Sequence, residues 1–387
     1  MLFRKNLYDE IVHPNKHTFR WLRAPVLWCL FPLLLLVAFR LICRSTRLSN
    51  ALIANVTPPI KSTLSALCAH APFPVAELIW LLAAVVAVLF LLRTIFLLIA
   101  KKGRLKRLIR RVLALCSACL IVYVGYCFFW GINYYGDSFS TKAGLTARGC
   151  QTEELYTLST ALADRCSQLA QNTPRNPDGT MQATPQDLLP ESSTVFQAVQ
   201  QEFPALEGPV TPARGMLSSR LISYTGFTGF LFPFTGESLV NVDAPVCLLP
   251  ATALHELAHQ RNVASEAEAN FVAVVAGLHS ENPEYAYSSA LLAYIHVSNA
   301  LYQADPSLWT DARTHLSQEV LADLQANDTY WAAFESPVET VSTTVYDSFL
   351  QSYNQRDGMA SYGKCVDLLV AYYFDLHPDL LLKAGTL

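Results

Sequence analysis

The sequence predicts a mainly α-helical membrane protein: three N-terminal transmembrane helices carrying a mostly helical extracytoplasmic domain with a small β element. Three observations predict it. Of the 387 residues, 52% are hydrophobic and only 15% charged, whereas a soluble domain carries about 25% charged residues. Three apolar stretches lie within the first 132 residues, each near the roughly 20 residues needed to cross a bilayer core. The net charge of −3 conceals a division: residues 1–132 hold 17 Lys/Arg against 3 Asp/Glu, and residues 133–387 hold 11 against 28. The hydrophobicity excludes a disordered chain, and the near-neutral total argues against a nucleic-acid partner. Ten cysteines are too few for a disulfide scaffold.

Residues 1–24 form a basic tail with Arg4, Lys5, Lys16, Arg20 and Arg23. The membrane anchor takes up 25–132, with helices expected at about 25–43, 75–100 and 112–132. Each is apolar all round, which favours a membrane span over a buried core helix. The second and third are joined by KKGRLKRLIRR at 101–111, whereas only Arg44, Arg47 and Lys61 lie between the first and second. Basic loops stay in the cytoplasm. The N terminus and loop 101–111 are therefore expected inside, and residues 133–387 outside, in a multi-pass cell-membrane protein partnered by the lipid bilayer. Arg40, Arg93 and Glu77 sit close enough to span ends to snorkel, so an anchor is expected rather than an ion path. A long N-terminal region with no small-residue cleavage site argues against a cleaved signal peptide.

In the outer domain, Leu155, Leu158, Leu162 and Leu169 give segment 150–170 helical spacing. From 171 to 215 the chain is dense in proline, with a turn signal in Asn-Pro-Asp-Gly at 176–179, and reads as an irregular surface loop. Residues 221–249 change to aromatic and β-branched types and read as one or two short strands turning at Thr235-Gly236. Helical patterns return at 265–280, 285–303, about 314–326 and 361–376. Cys150, Cys166, Cys247 and Cys365 would form two disulfides or remain separate thiols, and none makes a CxxC pair.

The chemistry concentrates in residues 251–271, ATALHELAHQRNVASEAEANF, where His255-Glu256-Leu257-Ala258-His259 is an HExxH match. Positions i and i+4 share a helix face, so His255 and His259 can point at one Zn²⁺. Glu256, offset around the helix, is placed to act as a general base on water without being a ligand. A third ligand is expected, and Glu266 and Glu268 are the candidates. Seven helical residues rise about 10.5 Å, too far for one metal, so the helix must end between His259 and Glu266. Asn262 suits the left-handed turn, and Arg261 suits the negative end of the helix dipole. Ser265-Glu266-Ala267-Glu268 matches an S-x-x-E capping box, in which Glu268 bends back to the cap. That reading favours Glu266 as the ligand and leaves Glu268 either supporting the ligands from behind or as the alternative ligand.

HELAHQ followed by EAEANF resembles the glutamate-type zincins, whose third ligand opens an E-x-x-A-[DN] motif on a second helix. The resemblance implies Glu266 as ligand and Asn270 as an orienting residue for the histidines. More closely, the chain resembles an uncharacterised bacterial family of membrane-anchored zincin-like proteins. That family combines N-terminal transmembrane helices with a PFTGE segment (233–237 here), HELAHQ (255–260) and ExEANF (266–271). One departure is Asn262, where such proteins often have glycine.

A transition-state donor is expected beside a zincin metal. Tyr285, Tyr287, Tyr294 and Tyr362 are candidates that no spacing rule separates, and His279, His296, His315 and His377 read as structural or exposed. Residues 238–242 could pair with an extended peptide or form a packed strand. The expected function is a membrane-anchored zinc metallopeptidase cleaving peptide or protein substrates outside the cytoplasm. The alternative is a non-catalytic metal-binding sensor or assembly protein, against which Glu256 argues, since a structural zinc needs no base. A transporter would show polar helix faces, and an intramembrane protease would not flank its motif with Arg261, Glu266 and Glu268.

Overall fold

The computed structural model describes residues 20–99, 104–352 and 362–380. Arg4, Lys5, Lys16, Lys101 and Lys102, on which the expected orientation partly rests, lie outside the described residues. The anchor runs α1 (Arg20–Ile42), α2 (Thr46–Asn55), α3 (Thr57–Cys68), α4 (Val75–Ile99) and α5 (Arg104–Phe129). Of these, α1, α4 and α5 are long and apolar enough to cross a membrane. Two differences from the sequence reading stand out. The third span begins at Arg104 rather than 112, so Arg104–Arg111 is helix and not loop. The linker between the first two spans folds into α2 and α3, whose polar composition carries no membrane signal.

Spans α1 and α5 pack along each other, and their contact resolves a local conflict. Pro32 lies inside α1, and an interior proline removes the hydrogen bond to the carbonyl four residues earlier. That carbonyl, on Trp28, accepts instead from Ser117 Oγ of α5 at 2.7 Å. A polar group freed inside an apolar span must find such a partner.

The domain continues with α6 (Phe139–Ala143), α7 (Thr152–Asn172), α8 (Pro185–Leu188), α9 (Ser192–Glu202), β1 (Arg214–Gly215), α10 (Ser219–Ser223), β2 (Gly229–Phe232), β3 (Glu237–Val240) and α11 (Leu249–Gln260). It ends with α12 (Glu266–Leu278), α13 (Pro283–Ala304), α14 (Pro306–Arg313), α15 (Gln318–Ala332), α16 (Pro337–Ser352) and α17 (Tyr362–Val370). Helix α13 packs on α7 and α12, and α12 packs on α11. The four leucines of α7 enter the same core as Leu254, Phe271 and Leu291. The proline-dense stretch is not wholly irregular. It holds α9, because Pro190 and Pro204 stand before and after that helix rather than inside it. The expected turn at 176–179 closes with Gly179 N–H on the Asn176 carbonyl at 2.9 Å. All ten cysteines are free thiols, so no disulfide joins Cys150, Cys166, Cys247 or Cys365.

The sheet has the order β1-β3-β2, with β3 parallel to β1 and antiparallel to β2. The strand reading of 238–242 therefore needs correction as a docking edge: β3 is the central strand with both sides paired, and β2 is an edge. The β2–β3 turn joins the domain to the anchor. Phe232 stacks near Trp80 of α4, with ring centroids 5.9 Å apart, and Phe234 meets Phe129 of α5 at 6.1 Å. Gly236 has φ +69°, and a Cβ there would lie 2.6 Å from the Lys61 carbonyl. Only glycine fits that position without strain. Glu237 then caps α4, accepting from Val75 N–H at 2.9 Å and Ala76 N–H at 2.8 Å, while pairing with Arg214 at 3.2 Å. The PFTGE segment is thus a latch between domain and membrane helices.

Candidate metal centre

Helix α11 starts on Leu249-Pro250, where proline is tolerated because a first-turn N–H has no helical partner. It stops at Asn262, the one described non-glycine residue with positive φ, at 69°. Asn262 N–H bonds the His259 carbonyl at 3.0 Å and Val263 N–H the Ala258 carbonyl at 3.1 Å, which is a Schellman ending. The turn predicted from Asn262 is present, and it also orients a side chain. The Val263 carbonyl that follows accepts from His259 Nδ1 at 2.6 Å. A carbonyl can only accept, so Nδ1 carries the proton and Nε2 keeps its lone pair. On the other histidine, His255 Nδ1 donates to Asn270 Oδ1 at 2.8 Å, in the orienting role implied for Asn270.

Both Nε2 atoms face Glu266, the first residue of α12, capped by Ser265. Glu266 Oε2 lies 3.2 Å from His255 Nε2 and 3.6 Å from His259 Nε2. The three ligand atoms all lie within 4.8 Å of one another. Two tetrahedral bonds of about 2.05 Å hold ligand atoms about 3.3 Å apart, so the spacing already suits a small divalent cation. Burial pushes Glu266 toward protonation, but the two imidazoles together outweigh it and hold the carboxyl well below its usual range.

Glu256 is 3% exposed, and its Oε2 has no hydrogen-bond partner among the described residues. Burial raises its pKa to about 8, with His255 opposing and Glu266 reinforcing the shift. The edge strand approaches it closely: a Cβ on Gly229 would sit 2.7 Å from Glu256 Oε1. The helix is held against the sheet by Ser238 Oγ donating to the Glu256 carbonyl at 2.8 Å and by Gln260 Nε2 donating to the Gly236 carbonyl at 3.1 Å.

Glu268 is corrected as an alternative ligand. Ser265 Oγ does accept from Glu268 N–H, but the Glu268 carboxylate goes to α6, accepting from Phe139 N–H at 3.0 Å and Ser140 N–H at 2.9 Å. It caps a neighbouring helix rather than its own. Arg261 reaches the carbonyls of Leu206 and Glu207. Of the tyrosine candidates, Tyr285 bonds the Leu188 carbonyl, Tyr287 bonds Asp323 and Tyr294 is core. The side chain of Tyr362 lies outside the described residues. His279 and His377 pair with Glu202, and His315 with Asp164. His296 is buried and lines the same cavity as the candidate centre. Burial, with His255 nearby, lowers its pKa to about 4.

Two contributors had no sequence signal. Tyr346 of α16 donates its hydroxyl to Glu266 Oε1 at 2.7 Å, holding the oxygen that does not face the histidines. Trp130, just past α5, sets its ring edge-on to His259 at 5.4 Å. Behind it lies Lys61, 1% exposed, with Nζ 5.3 Å from the Trp130 ring centroid and 3.5 Å from the His259 carbonyl. Burial, helped by Arg261, lowers its pKa to about 7. Lys61 is therefore a packed residue rather than a charge facing the membrane surface. The centre opens into a cavity of about 1710 Å³ that extends past Gly229 and Leu231 to Trp80 and Tyr126 of the spans.

Among known proteins, the model of a family described only as being of unknown function matches residues 52–370. No curated protein and no solved structure matches the chain.

Proposed function

The chain belongs to the family Protein of unknown function (DUF3810), and from that premise we propose that it is a membrane-anchored zinc metallopeptidase acting on peptides outside the cytoplasm. One observation carries the reading. His259 Nε2 and, with its Nδ1 on Asn270, His255 Nε2 direct lone pairs at a carboxylate oxygen. Three acceptors aimed at one point repel unless a cation or added protons lie between them. The histidine and carboxylate donor set suits zinc. Bound there, the metal would supply Lewis acidity toward water and the scissile carbonyl.

The remaining chemistry belongs to the chain. Glu256, buried beside the two histidines, accepts a proton from the attacking water as the carboxylate and returns it to the leaving amine. Asn241 N–H bonds the Thr228 carbonyl, so by antiparallel alternation the backbone groups of Gly229 and Leu231 face away from β3 and toward the cavity. An extended peptide laid along that edge would pass over Glu256. The basic tail and the basic start of α5 support a cytoplasmic N terminus with the domain outside.

The test uses the full chain purified in detergent. Metal analysis is expected to return about one zinc per chain for the wild type and Glu256→Gln, and none for His255→Ala. Cleavage of a peptide library by Glu256→Gln is expected to fall about 100-fold or more. No stoichiometric metal in the wild type overturns the metal site. Stoichiometric zinc without Glu256-dependent cleavage overturns the peptidase and leaves a metal-binding sensor or assembly protein.

A further inference from the structure

The domain presents an uncharged apolar face beside the membrane spans. On α16, Val338, Val341 and Val345 are 57%, 62% and 63% exposed, at the i, i+3, i+7 spacing of one helix face. Glu339 and Asp347, the two acidic residues of that helix, are partly buried, and every exposed position on it is uncharged. On the segment leading into α10 and through it, Leu217 and Leu221 are 79% and 71% exposed. A water-facing surface of a domain this acidic would be expected to place its charges outward.

Both segments are fixed to the ends of membrane helices. Leu217 and Ser218 donate their N–H groups to Glu77, near the start of α4, each at 2.8 Å. Phe349 of α16 meets Tyr126, three residues before the end of α5, at 5.5 Å between ring centroids. Trp80 and Tyr126 lie within two turns of the domain-side ends of α4 and α5, the kind of position where aromatic residues mark a membrane interface. Tyr224 stands against Phe334, the residue group leading into α16, so the two segments adjoin. The charges bordering this face are Arg220, which pairs with Asp243 at 3.6 Å and lies over the Phe334 ring, and the exposed Glu335 just before α16.

We propose that this face, built from Leu217, Leu221, Tyr224, Val338, Val341 and Val345, beds in the leaflet on the domain side of the membrane. Its continuity with the lipid-facing spans selects lipid as the occupant. Because Leu221 and Phe349 also line the cavity, the metal centre is then entered from the membrane surface. The inference does not depend on the identity of the metal or on peptidase activity.

The full chain, reconstituted in phosphatidylethanolamine–phosphatidylglycerol vesicles doped with a diazirine-tailed phospholipid, provides the test. After photolysis and peptide mapping, adducts are expected on 216–227 and 337–348 as well as on the three spans, and not on the turn at 176–179. The double variant Leu221→Asp, Val341→Asp is expected to lose those adducts about fivefold or more while span labelling is unchanged. Wild-type label confined to the spans overturns the proposal, whether the face is left in water or covered by a second copy of the chain.

Discussion

Both histidines of the centre donate through Nδ1, but to different kinds of partner: a side-chain amide for His255 and a main-chain carbonyl for His259. Removing an orienting partner of this kind lowers metal affinity by about 10- to 100-fold. Asn270→Ala is expected to show that loss in a competition titration against a zinc chelator, with the chain still folded. Tyr346→Phe removes the hydroxyl on Glu266 Oε1 and is expected to weaken zinc in the same assay by about tenfold. Glu268→Gln should behave oppositely. It weakens the cap on α6 by about 1–3 kcal/mol, lowering the thermal midpoint while zinc content stays unchanged. Zinc loss in that variant would show that the carboxylate reaches the centre. His255, Glu256, His259 and Glu266 were legible because their chemistry is bound to helix spacing and one turn, and Asn270 only through the resemblance to the glutamate-type zincins. Tyr346 and Trp130 were not, since they arrive from elements 80 or more residues away, at distances that local periodicity does not encode.

At the scale of elements, the turn after α11 and the β2–β3 turn each depend on one residue's backbone. Asn262 holds φ at 69°, a conformation that costs a branched residue about 1–2 kcal/mol. Asn262→Val is expected to lower the thermal midpoint and weaken zinc together, because the same turn positions the Val263 carbonyl. Asn262→Gly should leave both nearly unchanged. A larger loss is expected for Gly236→Ala, where left-handed strain of about 1–2 kcal/mol adds to a clash with the Lys61 carbonyl. If that variant melts with the wild type, the latch does not contribute to stability. Apolar stretches and strong periodicity made the spans, α7, α12 and α13 readable in advance. Helices α2, α3 and α9 escaped because they are short and polar or bracketed by prolines. Helix α16 escaped because its outward face is apolar too, which blurs the contrast that reveals an amphipathic helix.

For the molecule as a whole, the charge division near residue 132 is not a packing division. Trp130 touches His259, Lys61 lies under α11, and Glu237 holds the end of α4. A chain of residues 133–387 alone would expose Phe232 and Phe234 and lose these supports. It is expected to aggregate on size-exclusion chromatography and to bind zinc more weakly than the full chain, whereas a monodisperse fragment of full affinity would show that the domain stands alone. The Glu237 latch also has a consequence in time. Its carboxylate is made 162 residues after the Val75 N–H it caps, a delay of about 8–30 s at ordinary ribosome speeds. Throughout that interval the start of α4 waits without its partner, and the HExxH helix emerges almost immediately after the partner arrives. Closure of the membrane anchor and the appearance of His255, His259 and Glu266 therefore follow one another closely, late in the making of each molecule.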